Sequence, residues 1–257
     1  MTSSLVLQAR HDNVATLSLN RPERHNSLVP ALIEEFHAAL DLLQRDPPAL
    51  VVLAGTGRSF STGGDIAGFL EHKGEDRRAY AAQLVGGLHE AILRLVGLPM
   101  PVIGRVQGIA TGGALGLVLA ADLVAMAEDA SFAPFYSEMG FSPDGGWTAM
   151  LPERIGPARA GAIQMLNSRV SAAEALALGL VNSVVPLQEL DSEIARLVAS
   201  LRRKSPQSLA ATKSLLWSED RLARLRAGLA RERDMFLTMI ETREAEIRME
   251  AFLGRRA

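Results

Sequence analysis

The groups in this chain that could do chemistry by type and spacing are first of all backbone groups, in two glycine-paired turns. Gly108-Ile109-Ala110-Thr111-Gly112-Gly113 follows the apolar run 102–106 and opens the Ala/Leu-rich segment 114–121. A strand, a glycine turn and a helix start leave the first N–H groups of the helix unpaired. Gly112 and Gly113 carry no Cβ, so a ligand can come close to that backbone. Free N–H groups and the helix dipole both favour negative charge there. Two chemistries fit: a cradle for phosphate, or a pocket for an oxyanion that develops during reaction. The spacing is not GxGxxG and no Gly-Lys-Ser/Thr follows, which counts against a nucleotide phosphate loop. A second turn of this kind, 55–65, carries its own pair, Gly63-Gly64.

Side chains offer less. The absence of cysteine excludes disulfides, thiolate catalysis and Cys-zinc sites. His11, His37, His72 and His89 are isolated and show no metal-ligand spacing. Ser27 and Ser61 have no His/Asp constellation to activate them. No metal or redox cofactor is implied. The formal net charge of −2, with both signs spread along the chain, argues against nucleic acid or an anionic membrane as partner. The most apolar stretch, 114–127, is interrupted by Asp122 and too short to span a bilayer. The start, MTSSLVLQARHDN, lacks a signal-peptide core. A soluble, cytoplasmic protein is the expectation.

The elements that must position the turns read as mixed α/β. With 257 residues a large core is available, and with 5% aromatics it must be filled by Ala, Leu, Val and Ile. Residues 14–19 alternate apolar and polar at strand period until Asn20-Arg21-Pro22. Leu32, Phe36, Leu40 and Leu43 recur at helical spacing after Pro30. Residues 50–54 read as a buried strand. Residues 66–80, charged and with Gly74, read as a mobile, exposed segment, and 81–96 as a helix. Strand-like 122–127 follows the central helix, and 140–147 is a turn by composition. Ser171-Ala172-Ala173-Glu174 forms a capping box, with Gly179 as the stop of that helix. A last strand covers 181–185. Beyond it only helix is expected, with a stripe Leu222/Leu225/Leu229 that needs the core or a neighbouring subunit to pack on. The change from mixed to all-helical sets the division at 1–198 and 199–257.

Three ordered stretches carry a resemblance. Asn20-Arg21-Pro22-Glu23-Arg24-His25-Asn26-Ser27-Leu28 resembles the NRPxxxNAL segment of the enoyl-CoA hydratase/isomerase (crotonase) superfamily. Ser59-Phe60-Ser61-Thr62-Gly63-Gly64-Asp65-Ile66 is similar to its first oxyanion loop, and Gly108 to Ala114 to its second, GxAxGGG. The resemblance implies a spiral of ββα units with a C-terminal helical trimerisation region, a homo-trimer or dimer of trimers, and an acyl-CoA thioester as substrate, with no cofactor besides. It places the oxyanion donors at Gly64 and Gly113, where each donor typically contributes about 3–4 kcal/mol. CoA would lie along 24–28 and 61–66, against Arg24, His25, Ser27, Leu28, Ser61, Gly63, Asp65 and Ile66, with Gly112 beside the thioester and Arg24 as phosphate partner.

The same resemblance marks what is missing. The two glutamates of the hydratases fall on Gly116 and Tyr136, so ordinary hydration is not expected; Tyr136 would line the acyl pocket. Asp144, in Ser142-Pro143-Asp144-Gly145-Gly146, stands where some relatives place a catalytic aspartate, and Glu138 is the weaker candidate. The implied reaction is an isomerase-type proton transfer with Asp144 as base. The alternatives are aspartate-dependent hydrolase or dehalogenase chemistry, and a non-catalytic acyl-CoA-binding protein.

Overall fold

The computed structural model describes residues 4–254; the outermost residues of the two expected units, 1–3 and 255–257, lie outside them. Six strands form the main sheet in the order Val6–His11, Val14–Leu19, Leu50–Gly55, Val102–Val106, Leu123–Ala127, Ser183–Val185. The first pair is antiparallel and every later pair is parallel. Leu50–Gly55 is buried along its whole length, as a central parallel strand covered on both faces must be. Val14–Leu19 alternates partly and fully buried residues, which follows its period-two pattern. A second, three-stranded sheet joins Ile109–Thr111, Ser131–Ala133 and Val170–Ser171.

The helix Pro30–Arg45 buries the expected stripe of Leu32, Phe36, Leu40 and Leu43. The capping box forms: the Ser171 hydroxyl accepts from Glu174 N–H, and Glu174 Oε2 accepts from Ser171 N–H at 2.8 Å. Gly179 adopts a φ of +71°, which suits glycine at a helix stop. The first strand, Val6–His11, has mostly exposed side chains and is held by its hairpin with Val14–Leu19. Its lack of alternation hid it from pattern reading.

One expectation is corrected in part. Residues 66–80 are largely helix, broken at 72–74: Ile66–Glu71, capped by Asp65, and the start of Glu75–Val96. Phe69 and Arg77 are buried. Arg77 donates from Nε to the carbonyls of Phe69 (3.1 Å) and His72 (3.0 Å), and from Nη2 to Glu246 Oε1 at 3.1 Å. Arg77 is thus buried and paired with the helix Arg243–Gly254, while Glu71, Lys73, Glu75, Asp76 and Arg78 face water as expected.

The division at 198/199 falls inside the helix Leu190–Arg202. Leu225, Leu229, Phe236, Ile240 and Met249 join the same continuous core as the sheet residues. The Leu225/Leu229 stripe therefore packs on its own chain. Lys213 reinforces this: its buried Nζ donates to Leu95 O and Met100 O at 3.2 Å and to Asp122 Oδ2 at 2.7 Å, tying the helix Pro206–Leu216 to the sheet. No helix among the described residues is long and apolar enough to cross a membrane.

Candidate active site

Backbone pairing brings the three motifs together. Asn26 is fully buried; its side chain accepts from Arg21 N–H and donates to Thr56 O and Ser59 O, each at 2.8 Å. Leu28 N–H donates to Gly63 O (2.7 Å), and Asp65 N–H returns to Leu28 O (2.9 Å), so the first segment is stitched to the first glycine pair. Ser61 N–H donates to Ile109 O and Thr111 N–H to Ser61 O, both at 3.1 Å, which stitches the two glycine loops to each other. A Cβ on Gly63 would lie 2.8 Å from Thr111 O, so this close approach admits only glycine. No acceptor outside its own turn takes the N–H of Gly64 or of Gly113 among the described residues.

Both glycines line a cleft of about 310 Å³. Its lining combines the polar or charged Glu23, Arg24, His25 and Asp65 with an apolar wall that includes Phe69, Leu84, Leu88, Phe141, Phe236 and Phe252. Asp144 and Tyr136, both buried, also line the cleft. A Cβ placed on Gly113 would stand 3.0 Å from Asp144 Oδ1, which sets the carboxylate directly beside the second glycine pair. Asp144 is 5% exposed. Burial pushes its carboxyl up to about 7; the Tyr136 hydroxyl opposes this, and the buried Glu232 adds to it. The Tyr136 hydroxyl donates to Asp144 Oδ1 in a short hydrogen bond, and to Asp144 O at 3.1 Å. Burial, then the neighbouring Asp144 charge, hold the Tyr136 hydroxyl well above its ordinary range, so it stays a donor.

The turn that carries Asp144 is fixed from three sides. Trp147 Nε1 donates to Gly112 O at 2.7 Å. His89 Nε2 accepts from Gly145 N–H at 3.0 Å. Glu232 accepts from Gly146 N–H and Thr148 N–H at 2.7 Å, from Ala149 N–H at 2.9 Å and from the Thr148 hydroxyl at 2.6 Å. Phe135, at the cleft wall, holds a φ of +63°, a conformation costly for a bulky residue and retained where surrounding structure enforces it. Asn167 Oδ1 accepts its N–H at 2.7 Å.

Of the expected site residues, Arg24, His25, Ser27, Leu28, Gly64, Asp65, Ile66, Gly112, Gly113, Tyr136 and Asp144 line the cleft. Ser61 and Gly63 do not. The Ser61 hydroxyl is spent inside the loop, donating to Asn26 O at 2.7 Å and accepting from Gly63 N–H at 3.2 Å. Asp65 is committed to structure as well: it pairs with Arg21 and, at 3.4 Å, with Arg24, and these partners with the Ser27 hydroxyl outweigh burial and hold its carboxyl below the usual range. Arg24 keeps half its side chain exposed. Glu138 does not line the cleft. The sequence reading missed His89, Trp147 and Glu232, which touch the site only through tertiary contacts with no local pattern. It also missed the aromatic wall, whose Phe69 and Phe141 pack edge to face at 6.1 Å between centroids.

The sequence model of the family described as enoyl-CoA hydratase/isomerase matches residues 9–257. A trans-2-decenoyl-[acyl-carrier-protein] isomerase of Streptococcus mutans is 29% identical over 207 residues, 80% of this chain and 79% of the relative. A 2,3-dehydroadipyl-CoA hydratase of Escherichia coli is 31% identical over 98% of this chain and 97% of its own. The crystal structure of an enoyl-CoA hydratase from Mycobacterium avium subsp. paratuberculosis superposes with a TM-score of 0.87 at 28% identity, covering 97% of this chain and 99% of that one.

Proposed function

The chain belongs to the enoyl-CoA hydratase/isomerase family and has its crotonase fold, and from that premise we propose that it isomerises unsaturated acyl-CoA thioesters, with Asp144 moving the proton. The observation that carries this reading is the buried Asp144 carboxylate beside Gly113, in the wall of the cleft. The thioester oxygen takes the N–H groups of Gly64 and Gly113. The Asp144 carboxylate removes an α-proton from a β,γ-unsaturated acyl group; the C–H pair becomes the enolate double bond, and the oxygen carries the charge. The same carboxyl then returns the proton to the γ-carbon, leaving an α,β-unsaturated thioester with no net redox change. One carboxyl near neutrality can do both transfers. Hydration needs an acid and a base around one water. Among the described residues of the cleft, the other carboxylates are Glu23, which is exposed, and Asp65, which is paired with Arg21 and Arg24.

The test is a paired assay. β,γ-Unsaturated decenoyl-CoA should become conjugated, read by ultraviolet absorbance, while crotonyl-CoA is hydrated at least about 10²-fold more slowly. Rapid hydration of crotonyl-CoA without conjugation of the decenoyl ester would overturn the reading. CoA binding along 24–28, with Arg24 on a phosphate, belongs to the same proposal, as does a homo-trimer or dimer of trimers. Exposed Met165 (83%) and Leu215 (82%) support association.

Tyr136→Phe tests the protonation scheme. The hydroxyl stabilises the ionised carboxylate, so its loss raises the Asp144 pKa further. The acid limb of the pH–rate profile should move up by about one unit. An unmoved limb would mean that the hydroxyl does not act on the base.

A further inference from the structure

We propose that Glu232 and His89 are positioning residues for Asp144: by holding the N–H groups of its turn they fix where the carboxylate stands, which makes the helix Glu219–Met239 part of the catalytic apparatus. The inference rests on Asp144 being the base. Neither residue lines the cleft, so neither touches substrate.

Much of what holds the turn comes from outside it. Gly145 and Gly146 have φ of +62° and +89°. With two left-handed glycines, the N–H groups of 145, 146, 148 and 149 all donate to acceptors in the interior. Successive N–H groups of this kind form a concave site for an anion. Glu232 fills that place: its two oxygens take four donors, three of them backbone, while the residue is 4% exposed; burial raises its carboxyl, and the donors of Thr148, Gly146 and Ala149 oppose this and favour the anion. His89 takes the remaining one at Nε2, so its proton sits on Nδ1. Burial, then the nearby Arg233, depress the His89 ring to about 4, and it accepts as a neutral imidazole. A surface loop would leave these N–H groups to water, and Asp144 would move with it.

The charged and titratable groups around Asp144 are few. Tyr136 faces it from the helix Tyr136–Met139, His89 stands behind its turn from Glu75–Val96, and Glu232 and Arg233 approach from Glu219–Met239. Glu232 thus acts in two ways. It sets the geometry of the base, and its charge, held behind the carboxylate, resists ionisation of Asp144 and keeps it a stronger base.

The experiment uses the full chain and β,γ-unsaturated decenoyl-CoA, with Asp144→Asn run alongside. Glu232→Gln keeps the shape but sets an amide against backbone donors and removes the charge. Its kcat should fall by about 10-fold or more, since small displacements of a reacting group are costly, with KM within about two-fold. The acid limb of the pH–rate profile should shift to lower pH. A merely structural glutamate would lower Tm and leave kcat per folded molecule and the limb unmoved. Should Glu232→Gln not fold, Thr148→Val removes only the hydroxyl donor to Glu232, and kcat should fall by about three-fold at unchanged KM. Wild-type kcat and an unmoved limb in the folded Glu232→Gln, or wild-type kcat in Thr148→Val where the former does not fold, overturn the proposal. Loss of turnover in Asp144→Asn beside an unaffected Glu232 variant confines the failure to the clamp. Retained turnover in Asp144→Asn removes the base itself, and the clamp with it.

Discussion

Asp144→Asn should lower kcat on β,γ-unsaturated decenoyl-CoA by about 10²–10⁴-fold while leaving the affinity for the thioester nearly unchanged. The amide keeps the volume of the carboxyl and can still accept from the Tyr136 hydroxyl, so the site retains its shape. What it loses is basicity. In the wild type the rate should rise with pH through about 7, where the carboxyl ionises, and the Asn variant should show no such rise.

The same substitution should stabilise the fold at neutral and higher pH. The carboxyl is raised from 3.8 to about 7 in the folded chain, chiefly by burial. Its neutral form is favoured by the fold, so the associated stability is present at low pH and is lost as pH rises through about 7. By linkage that loss amounts to a few kcal/mol. The gain in Tm of the Asn variant over wild type should therefore grow from acid to neutral pH and then level off. A catalytic base kept in an apolar site at the expense of stability is a common trade. Near-full turnover with no gain in Tm would remove Asp144 from the mechanism, and Glu138 would be the next residue to test.

Gly116→Glu should unfold the site rather than confer hydration. By resemblance this position carries a glutamate in the hydratases, so the substitution looks like a restoration. In this chain a Cβ on Gly116 would lie 2.1 Å from Gly145 O and 2.4 Å from Ile92 Cδ1. The methyl of Ile92 could turn away, but the Gly145 carbonyl is backbone of the turn that carries Asp144. Overpacking of a core typically costs about 1–3 kcal/mol, and a backbone clash belongs at or above that limit. The expected result is a Tm lowered by about 10 °C, with both isomerisation and crotonyl-CoA hydration near background. A stable Gly116→Glu protein that hydrates crotonyl-CoA would show that the turn yields and that its placement does not decide the reaction. The clash gives glycine at 116 a physical cause: the turn that brings Asp144 to Gly113 occupies the space a side chain there would need.

Much of the architecture was legible in the chain because it is local. Val14–Leu19 and Leu50–Gly55 follow from alternation and from an unbroken apolar run, Pro30–Arg45 from its stripe, and Ser171–Glu174 from a capping box that forms as written. The glycine pairs marked where backbone would be approached closely, and Gly64, Gly113 and Asp144 meet in one cleft. Tertiary structure alone decided the rest. Arg77 resembles one more solvated charge of 66–80 until Glu246, far along the chain, pairs with it. Ser61 resembles a site residue until its hydroxyl is seen closing its own loop. Glu232 and His89 carry no signal of their own, because a buried carboxylate or imidazole is defined by the donors that surround it, and those donors lie 83–86 and 56 residues away. Periodicity and turn chemistry report what a residue's neighbours in sequence require of it. The pKa of Asp144, the exclusion of a side chain at Gly116 and the clamp on the turn depend on neighbours in space, which only the closed core supplies.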